Sequence, residues 1–375
     1  MRRRRLIVPP ERELVVPRPD RRLLLRRGLG GLGLAALGGP LIGCGADDEP
    51  VRGADAGTGT DAGMLDGGVD AGPGDAGATD AGADATGADV AADAAAAAPF
   101  RFAVLADTHI IDEFYDGQES NQLDTESLYS AADRMASAVD VLNALDPRPE
   151  FVIHVGDYVH DAPWTDLDFY ASNRTRLDIA AEIQSRLEMP LYAAYGNHDY
   201  RIDLVTREFT EELFAEKLGM PRYTSVDHNG WKCIVLNNFR GETWNPNSDA
   251  YNPSLGSLGE EQLQWLEAEL EQGMPTFIFV HYTVGLIDAF EHADLSLTSL
   301  LMRYRDQIQY VISGHTHRWL DMGDQYGPPH MIIGATRYDE DCFMVVDVDP
   351  SAGTFSFANQ SAWGMFSLYA EPWNG

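Results

Sequence analysis

Five short apolar runs in this chain each end on residues that can bind a metal ion. A chance scatter of histidine and aspartate would not follow the ends of strands so regularly. In open α/β sheets, ligands bind beyond the carboxyl ends of parallel strands. The pattern therefore predicts an α/β chain whose polar residues meet at one edge of the sheet. The residues that follow the five runs are Asp107-Thr108-His109, Gly156-Asp157, Gly196-Asn197-His198-Asp199, His281 and Gly314-His315-Thr316-His317.

Helical spacing of apolar residues separates several of these runs. It predicts helices over Thr125–Leu145, Leu167–Leu187 and Leu295–Tyr304. A further helix is predicted to run to Leu270, opened by a capping box at Ser257-Leu258-Gly259-Glu260. Alternation of strand and helix favours parallel strands. Three later runs have no helix between them and predict an antiparallel closing portion, namely Met331–Ala335, Phe343–Val348 and Thr354–Ala358.

The last polar block, Gly314–His317, contains two histidines at positions i and i+2. On extended backbone such residues point to the same side. Two neutral imidazoles presented together can start a metal site. A His-x-His pair also occurs by chance on ordinary strands, so its weight comes from the four other polar blocks.

Residues 1–43 are typical of a bacterial export signal. Ten arginines fall within residues 2–27, and an uncharged run, Gly28–Gly43, follows them. The stretch Asp20–Arg26 resembles a twin-arginine signal, and Leu41-Ile42-Gly43-Cys44 resembles a lipobox. The alternative is a plain basic leader or a misassigned start codon. We expect an exported protein, anchored to a membrane through a lipid on Cys44, at the periplasmic face or cell surface of the bacterial envelope.

Residues 44–99 consist almost entirely of Ala, Gly, Asp and Thr. Such a composition cannot form a core and predicts a disordered linker. The linker could equally be low-complexity drift without a function. The remaining residues, 100–375, are numerous enough for one large core, and we expect them to form the catalytic domain.

Residues 100–375 are strongly acidic, with 16 Lys and Arg against 44 Asp and Glu, a net charge of about −28. Such a surface repels nucleic acid, and no nucleic-acid partner is expected. Cys233 and Cys342 fall in apolar runs, where buried thiols are the usual outcome. Whether the two cysteines pair stays open, as does the oligomeric state.

Taken together, the five blocks resemble the calcineurin-like metallophosphoesterase family over Phe100 to about Ala335. The resemblance implies an α/β (α+β) fold with a two-sheet β-sandwich core flanked by helices (αββα). It also implies two divalent or trivalent metal ions, and imidazole with carboxylate suits Fe, Mn or Zn. One metal would be held by Asp107, His109 and His317, the other by Asn197, His281 and His315, with Asp157 bridging both.

The resemblance further implies hydrolysis of a small phosphate monoester or phosphodiester by a hydroxide that bridges the metals. His198 would act outside the metal shell as a proton donor or charge stabiliser, and Asp199 would orient it. The alternative is a catalytically silent, metal-binding surface lipoprotein used for partner binding. The intact ligand set argues against it. The substrate stays open among cyclic nucleotides, monoesters, nucleotides and lipid head groups.

Several polar residues outside the predicted ligand set are expected to have structural or substrate-side roles. His160 and Asp161 would brace their loop or approach the substrate, and His154 would be a structural histidine. Arg201 could reach a phosphate or pair with a nearby carboxylate. Tyr282-Thr283 follow His281 where many relatives carry histidine or proline, which leaves the substrate-side wall open. Three histidines belong to no motif and are expected in loops or at the surface: His228, His292 and His330.

Overall fold

The computed structural model describes residues 98–117, 119, 121–161, 165–292 and 294–365. The predicted export signal, the lipobox at Cys44 and the predicted linker as far as residue 97 lie outside the described residues. Among the helices in the described ranges, none combines the length and the apolar character needed to cross a membrane.

The described part of the chain contains eleven strands and seven α-helices. The strands are β1 (Phe100–Leu105), β2 (Phe151–Val155), β3 (Leu191–Ala194), β4 (Thr224–His228), β5 (Trp231–Val235), β6 (Thr276–Phe279), β7 (Ile308–Ser313), β8 (Leu320–Gly323), β9 (His330–Ile332), β10 (Met344–Asp349) and β11 (Thr354–Phe357). The helices are α1 (Gln122–Tyr129), α2 (Ala131–Ala144), α3 (Leu167–Ser172), α4 (Arg176–Gln184), α5 (Arg207–Leu218), α6 (Glu260–Leu270) and α7 (Leu297–Arg303).

The strands form two mixed sheets. The first has the order β11-β10-β1-β2-β3, and the second has the order β4-β5-β6-β7-β9-β8. Strands β1, β2 and β3 run parallel to one another, as do β5, β6, β7 and β9. The other pairings are antiparallel. The predicted two-sheet core flanked by helices is therefore confirmed.

Aromatic side chains fill the space between the two sheets. Phe102 of β1 stacks on Phe151 of β2 with ring centroids 5.2 Å apart, and meets Phe277 of β6 edge to ring at 5.3 Å. On the outer face of the first sheet, Leu105 packs with Leu142 of α2 in a separate apolar cluster. Helices α6 and α7 contribute their buried leucines to the cluster that contains the outward-facing residues of the second sheet. The layers thus follow the order helix, sheet, sheet, helix.

Two predicted helices are each broken in two, and polar side chains explain the second break. The helix predicted over Thr125–Leu145 divides at Ser130 into α1 and α2. The helix predicted over Leu167–Leu187 divides between α3 and α4. There the Asn173 amide donates to the Phe169 carbonyl, and Thr175 forms a capping box with Asp178. Side chains that bond to nearby backbone groups end one helix and start the next.

The predicted capping box at Ser257 is wrong. Helix α6 begins after Gly259, which has φ +80° and makes no side-chain cap. The Ser257 hydroxyl instead bonds to the Thr243 hydroxyl at 2.6 Å. The carboxylate of Glu291, from a distant loop, accepts hydrogen bonds from the N–H groups of Leu258 and Gly259. A cap supplied from elsewhere in the fold has no local sequence signal.

The predicted antiparallel closing portion is correct for β10 and β11 but only in part for β9, which pairs antiparallel with β8 alone. Strand β9 runs parallel to β7 in the second sheet, whereas β10 returns to the first sheet and pairs antiparallel with β1. Cys233 and Cys342 are both buried and unpaired.

Candidate metal centre

The carboxyl ends of strands from both sheets meet at one place. All seven residues predicted as metal ligands follow such strand ends. In the first sheet Asp107 and His109 follow β1, Asp157 follows β2 and Asn197 follows β3; in the second, His281 follows β6 and His315 and His317 follow β7. The topology therefore brings together residues that lie up to 210 positions apart in the sequence.

The first cluster at this edge consists of Asp107, His109, Asp157 and His317. All four are buried, and their donor atoms lie within 4.8 Å of one another. His109 Nε2 is 3.1 Å from His317 Nε2 and 3.4 Å from Asp157 Oδ2. His317 Nε2 is 3.4 Å from Asp107 Oδ1. Two carboxylates and two imidazoles thus face a common point.

The second cluster consists of Asp157, His281 and His315, again with donor atoms within 4.8 Å. His281 Nε2 lies 3.2 Å from Asp157 Oδ2 and 3.1 Å from the Asn197 side-chain oxygen. Asp157 Oδ2 therefore belongs to both clusters, which is the position required of a bridging ligand.

The donor atoms are arranged as a pair of metal ions would require. Asp157 Oδ2 is buried and has no hydrogen-bond partner among the described residues, which is costly for a carboxylate oxygen unless a cation compensates it. His109 Nε2 and His317 Nε2 face each other, and two imidazole lone pairs at 3.1 Å repel unless a proton or a cation lies between them. Buried imidazole and carboxylate donors suit Zn²⁺, Mn²⁺ or iron.

The backbone at the ligands is strained. Five ligand residues have φ in the left-handed region: Asp107 (53°), His109 (47°), Asp157 (52°), His315 (72°) and His317 (57°). Each such residue costs about 1–2 kcal/mol relative to a right-handed conformation. Strain of this kind concentrates at functional sites, where it orients side chains.

Two glycines allow backbone to approach the carboxylates. A Cβ at Gly196 would lie 2.1 Å from Asp157 Oδ1, and a Cβ at Gly314 would lie 2.7 Å from Asp107 Oδ2. The nearby backbone N–H groups hold the same carboxylates: His198 N donates to Asp157 Oδ1 at 2.8 Å, and His315 N donates to Asp107 Oδ1 at 3.0 Å. The glycine in each motif is therefore required by packing against a ligand.

His198 lies beside the clusters with its side chain 31% exposed. Its Nδ1 is 2.9 Å from Asp161 Oδ1. Burial alone would lower the pKa of His198, but the carboxylates of Asp161 and Asp157 raise it to about 9. The imidazole is thus protonated at neutral pH and can donate a proton.

Asp199 does not orient His198, which corrects the sequence-based assignment. Its two carboxylate oxygens accept hydrogen bonds from Val159 N at 2.9 Å and Gly196 N at 2.7 Å. Burial and the charge of Asp157 raise the pKa of Asp199 to about 7. Asp199 therefore joins the loops after β2 and β3, and Asp161 takes the orienting position.

The structure also shows the positions of the polar residues outside the predicted ligand set. His154 bonds to the Thr108 hydroxyl at 3.0 Å, as predicted for a structural histidine. Arg201 pairs with Asp203 at 3.0 Å, in agreement with the ion-pair interpretation. His330 is buried in β9, so its assignment to a loop or the surface is wrong.

His160 is also buried, and it contacts both His109 and Glu119. Sequence reasoning missed Glu119, which belongs to none of the five polar blocks.

Burial keeps two of the four predicted ligand imidazoles, those of His109 and His315, neutral, the form that binds metal. Burial and the charge of Arg337 hold the pKa of His109 well below its usual value. Burial and the nearby His281 lower the pKa of His315 to about 3. His281 is different: burial would lower its pKa, but Asp157 raises it to about 9. Metal binding at His281 therefore displaces a proton.

A sequence model described as calcineurin-like phosphoesterase matches residues 100–319. The chain belongs to the calcineurin-like phosphoesterase family. Members of this family are phosphoester hydrolases with a dinuclear metal centre, and the Asp and His clusters lie within the matched range.

Two curated proteins with similar sequences are named as different kinds of phosphoesterase. The chain is 27% identical over 187 residues to a probable glycerophosphodiester phosphodiesterase GpdQ of Arcobacter nitrofigilis, with 47% of this chain and 60% of that protein covered. It is 29% identical over 216 residues to the serine/threonine-protein phosphatase CPPED1 of Rattus norvegicus, with 53% and 62% covered. The matches thus span about three fifths of each relative's length.

Two solved structures of calcineurin-like or dimetal enzymes are also similar. A dimetal phosphatase from Danio rerio is 17% identical with a TM-score of 0.48, covering 66% of this chain and 92% of that chain. The calcineurin-like phosphoesterase YfkN from Bacillus subtilis is 14% identical with a TM-score of 0.42, covering 70% and 88%.

Proposed function

We propose that this calcineurin-like phosphoesterase hydrolyses a small phosphate monoester or phosphodiester at a pair of metal ions. The observation that carries the proposal is Asp157 Oδ2, a buried carboxylate oxygen without a hydrogen-bond partner that faces both clusters. Asp107, His109 and His317 would hold one metal on one side of it. Asn197, His281 and His315 would hold the other.

The metals would supply positive charge that activates water and offsets charge at phosphorus. The protein residues supply the geometry. Backbone N–H groups of His198 and His315 fix the carboxylates of Asp157 and Asp107. Only those two of the seven ligands carry a negative charge, so a pair of divalent ions leaves the site positive. This local charge attracts a phosphoryl group despite the acidic surface, since distant charges are screened beyond about 8 Å at physiological salt.

His198 is the proposed proton donor to the leaving oxygen. It is the partly exposed titratable group beside the two clusters, and Asp161 holds its Nδ1 at 2.9 Å. Its Nε2 is then free to carry the proton toward a substrate oxygen. Proton transfer of this kind typically contributes about 10²–10⁴-fold to a rate.

A substrate panel with metal analysis tests the proposed function. The purified full chain would be assayed with aryl phosphates, bis-aryl phosphodiesters, glycerophosphodiesters and phosphoserine peptides, while metal content is measured in the same samples. We expect about two metals per chain, turnover of at least one class, and loss of both in Asp157→Asn. Two bound metals without hydrolysis of any phosphoester would favour the alternative, a catalytically silent surface lipoprotein.

We also propose that the protein is exported and anchored through Cys44. The support is the order of the arginine-rich segment, the uncharged run and the lipobox-like Leu41–Cys44. Replacing Arg21 and Arg22 together with lysine should block export, and Cys44→Ser should release the exported protein from membranes. Normal export of the double lysine variant would contradict a twin-arginine route.

A further inference from the structure

His109 is connected to a second histidine and a carboxylate on the side away from the clusters. His109 Nε2 faces the first cluster, and its other nitrogen, Nδ1, lies 2.9 Å from His160 Nδ1. His160 Nε2 in turn lies 3.1 Å from Glu119 Oε1. His160 is 3% exposed. A continuous hydrogen-bonded chain therefore runs from the first cluster to Glu119.

One arrangement of protons satisfies this chain with both histidines neutral. If His109 Nε2 is free to bind a metal, its proton is on Nδ1 and is donated to His160 Nδ1. His160 Nδ1 is then an acceptor, so the proton of His160 is on Nε2 and is donated to Glu119. Each hydrogen bond in this chain then has one donor and one acceptor. The chain ends at the Glu119 carboxylate, which can only accept hydrogen bonds.

We propose that His160 and Glu119 are positioning residues for the first metal, acting through His109. The inference rests on the proposed function, because it needs a metal at His109 Nε2. The pair fixes the His109 tautomer and the orientation of its ring, and the Glu119 charge increases the basicity of the ligand nitrogen. Hydrogen bonds of this type to ligand histidines typically change metal affinity by about 10–100-fold.

The two metal positions differ in this respect. In the second cluster, His281 Nδ1 lies 2.8 Å from the Val155 carbonyl oxygen, an uncharged acceptor. In the first, the acceptor at the end of the chain is a carboxylate. The proposal therefore predicts an effect on one metal and not on the other, which a general loss of stability would not produce.

The backbone of His160 is held independently of the metal. The Arg176 guanidinium donates to the carbonyl oxygens of His160 and Asp161, and the same side chain pairs with buried Asp112 at 2.8 Å. Glu119 is held by the Tyr115 hydroxyl at 3.2 Å. The pair is thus in place before a metal binds, as a positioning group must be.

The test measures zinc binding to the full chain across a buffered series of free Zn²⁺ concentrations. Binding of two zinc ions should give two steps in this titration. The step that His317→Ala weakens is assigned to the first metal, because His317 is part of the first cluster alone. We expect His160→Leu to weaken that step by about 10–100-fold and to leave the other unchanged. His160→Gln can still accept from His109 and donate to Glu119, so it should restore part of the affinity. Glu119→Gln removes only the charge and should weaken the same step less.

The control is His228→Leu, which breaks an outlying histidine–glutamate contact of the same kind, His228 with Glu150 at 2.8 Å. It should leave both steps unchanged. Wild-type affinity in His160→Leu, or equal weakening of both steps, would overturn the proposal while the proposed function stands. If His160→Leu does not fold, unaltered binding in both His160→Gln and Glu119→Gln overturns it instead. A wild-type chain that binds none of zinc, manganese and iron would overturn the proposed function itself.

Discussion

His198 differs in charge from two of the predicted ligand histidines, His109 and His315. The bonded carboxylate of Asp161 and the charge of Asp157 raise the pKa of His198 to about 9, whereas burial lowers the pKa of His109 and His315. A protonated imidazole is a poor metal ligand but a good proton donor. These environments favour proton transfer by His198 and metal binding by His109 and His315.

His198→Ala should separate catalysis from metal binding. We expect kcat to fall by about 10²–10⁴-fold, with the metal content per chain unchanged. The measurement is kcat together with metal analysis of the same sample, with His228→Ala as the control. Loss of metal along with activity would place His198 among the ligands.

Asp161→Asn should shift the alkaline limb of the pH–rate profile to lower pH. The Asp161 carboxylate stabilises the imidazolium of His198, and removing its charge lowers the pKa of His198. A general acid works only below its own pKa, so activity is lost at a lower pH than in the wild type. Asp203→Asn, which removes an exposed carboxylate paired with Arg201, is the control. An unchanged alkaline limb in Asp161→Asn would argue that another group is the acid.

The loops after the strands hold the site, and buried ion pairs hold the loops. Arg176 at the start of α4 is 1% exposed, pairs with Asp112, and donates to two carbonyls of the loop after β2. This single guanidinium therefore joins the loop after β1, the loop after β2 and α4. Its loss would affect the site through the loops rather than through the ligands.

Arg176→Met should lower the free energy of unfolding by about 3–5 kcal/mol, because it leaves the Asp112 carboxylate buried without its partner. Urea unfolding of the apo-protein measures this. Arg174→Met is the matched control, since Arg174 pairs with Glu182 on the surface, where such pairs contribute about 0–1 kcal/mol. Equal effects of the two substitutions would contradict a special role for Arg176.

The strands that carry the site could be predicted from the sequence because burial on both faces gives continuous apolar runs. Helix ends and caps could not be predicted as well. Glu291, which caps α6 from a distant loop, has no local signal. Strands β4 and β8 and helix α5 were missed; β4 and β8 are exposed or half-buried edge strands without an apolar run.

The residues predicted as ligands by motif lie together in the structure, but the predicted partner of His198 is wrong. Asp199 is adjacent in sequence, yet residues 197–199 form a 3₁₀ turn, in which successive side chains point about 120° apart. Asp161 lies 37 positions away and reaches the imidazole through the fold. Contacts of this kind depend on loop conformation, which periodicity does not describe.

At the scale of the whole molecule, the site is part of what holds the two sheets together. Asp107, Asp157 and Asn197 come from the first sheet, while the histidines after β6 and β7 come from the second. Metal ions shared between them would cross-link the sheets at one edge. Their removal leaves the lone pairs of His109 Nε2 and His317 Nε2 opposed at 3.1 Å.

Chelation should therefore lower the melting temperature. Metal present at about 100 times its Kd stabilises the folded state by about 2.7 kcal/mol, and 1 kcal/mol corresponds to about 2–4 °C for a domain of 150–250 residues. We expect a decrease of about 5–10 °C after EDTA treatment, reversed by adding metal. Asp157→Asn should melt at the same temperature with and without chelator. An unchanged melting temperature of the wild-type chain would argue against bound metal.

The pairing of β1 with β10 has a consequence for synthesis. Arg101 bonds to Asp347 across this pair, 246 positions later in the chain, and β1 carries Asp107 and His109 at its end. During synthesis β1 leaves the ribosome long before β10, one of its two neighbours in the sheet. About two thirds of the chain must follow β1 out of the exit tunnel before β10 can pair with it. Asp107 and His109 therefore lie at the end of an incomplete sheet until β10 has been synthesised.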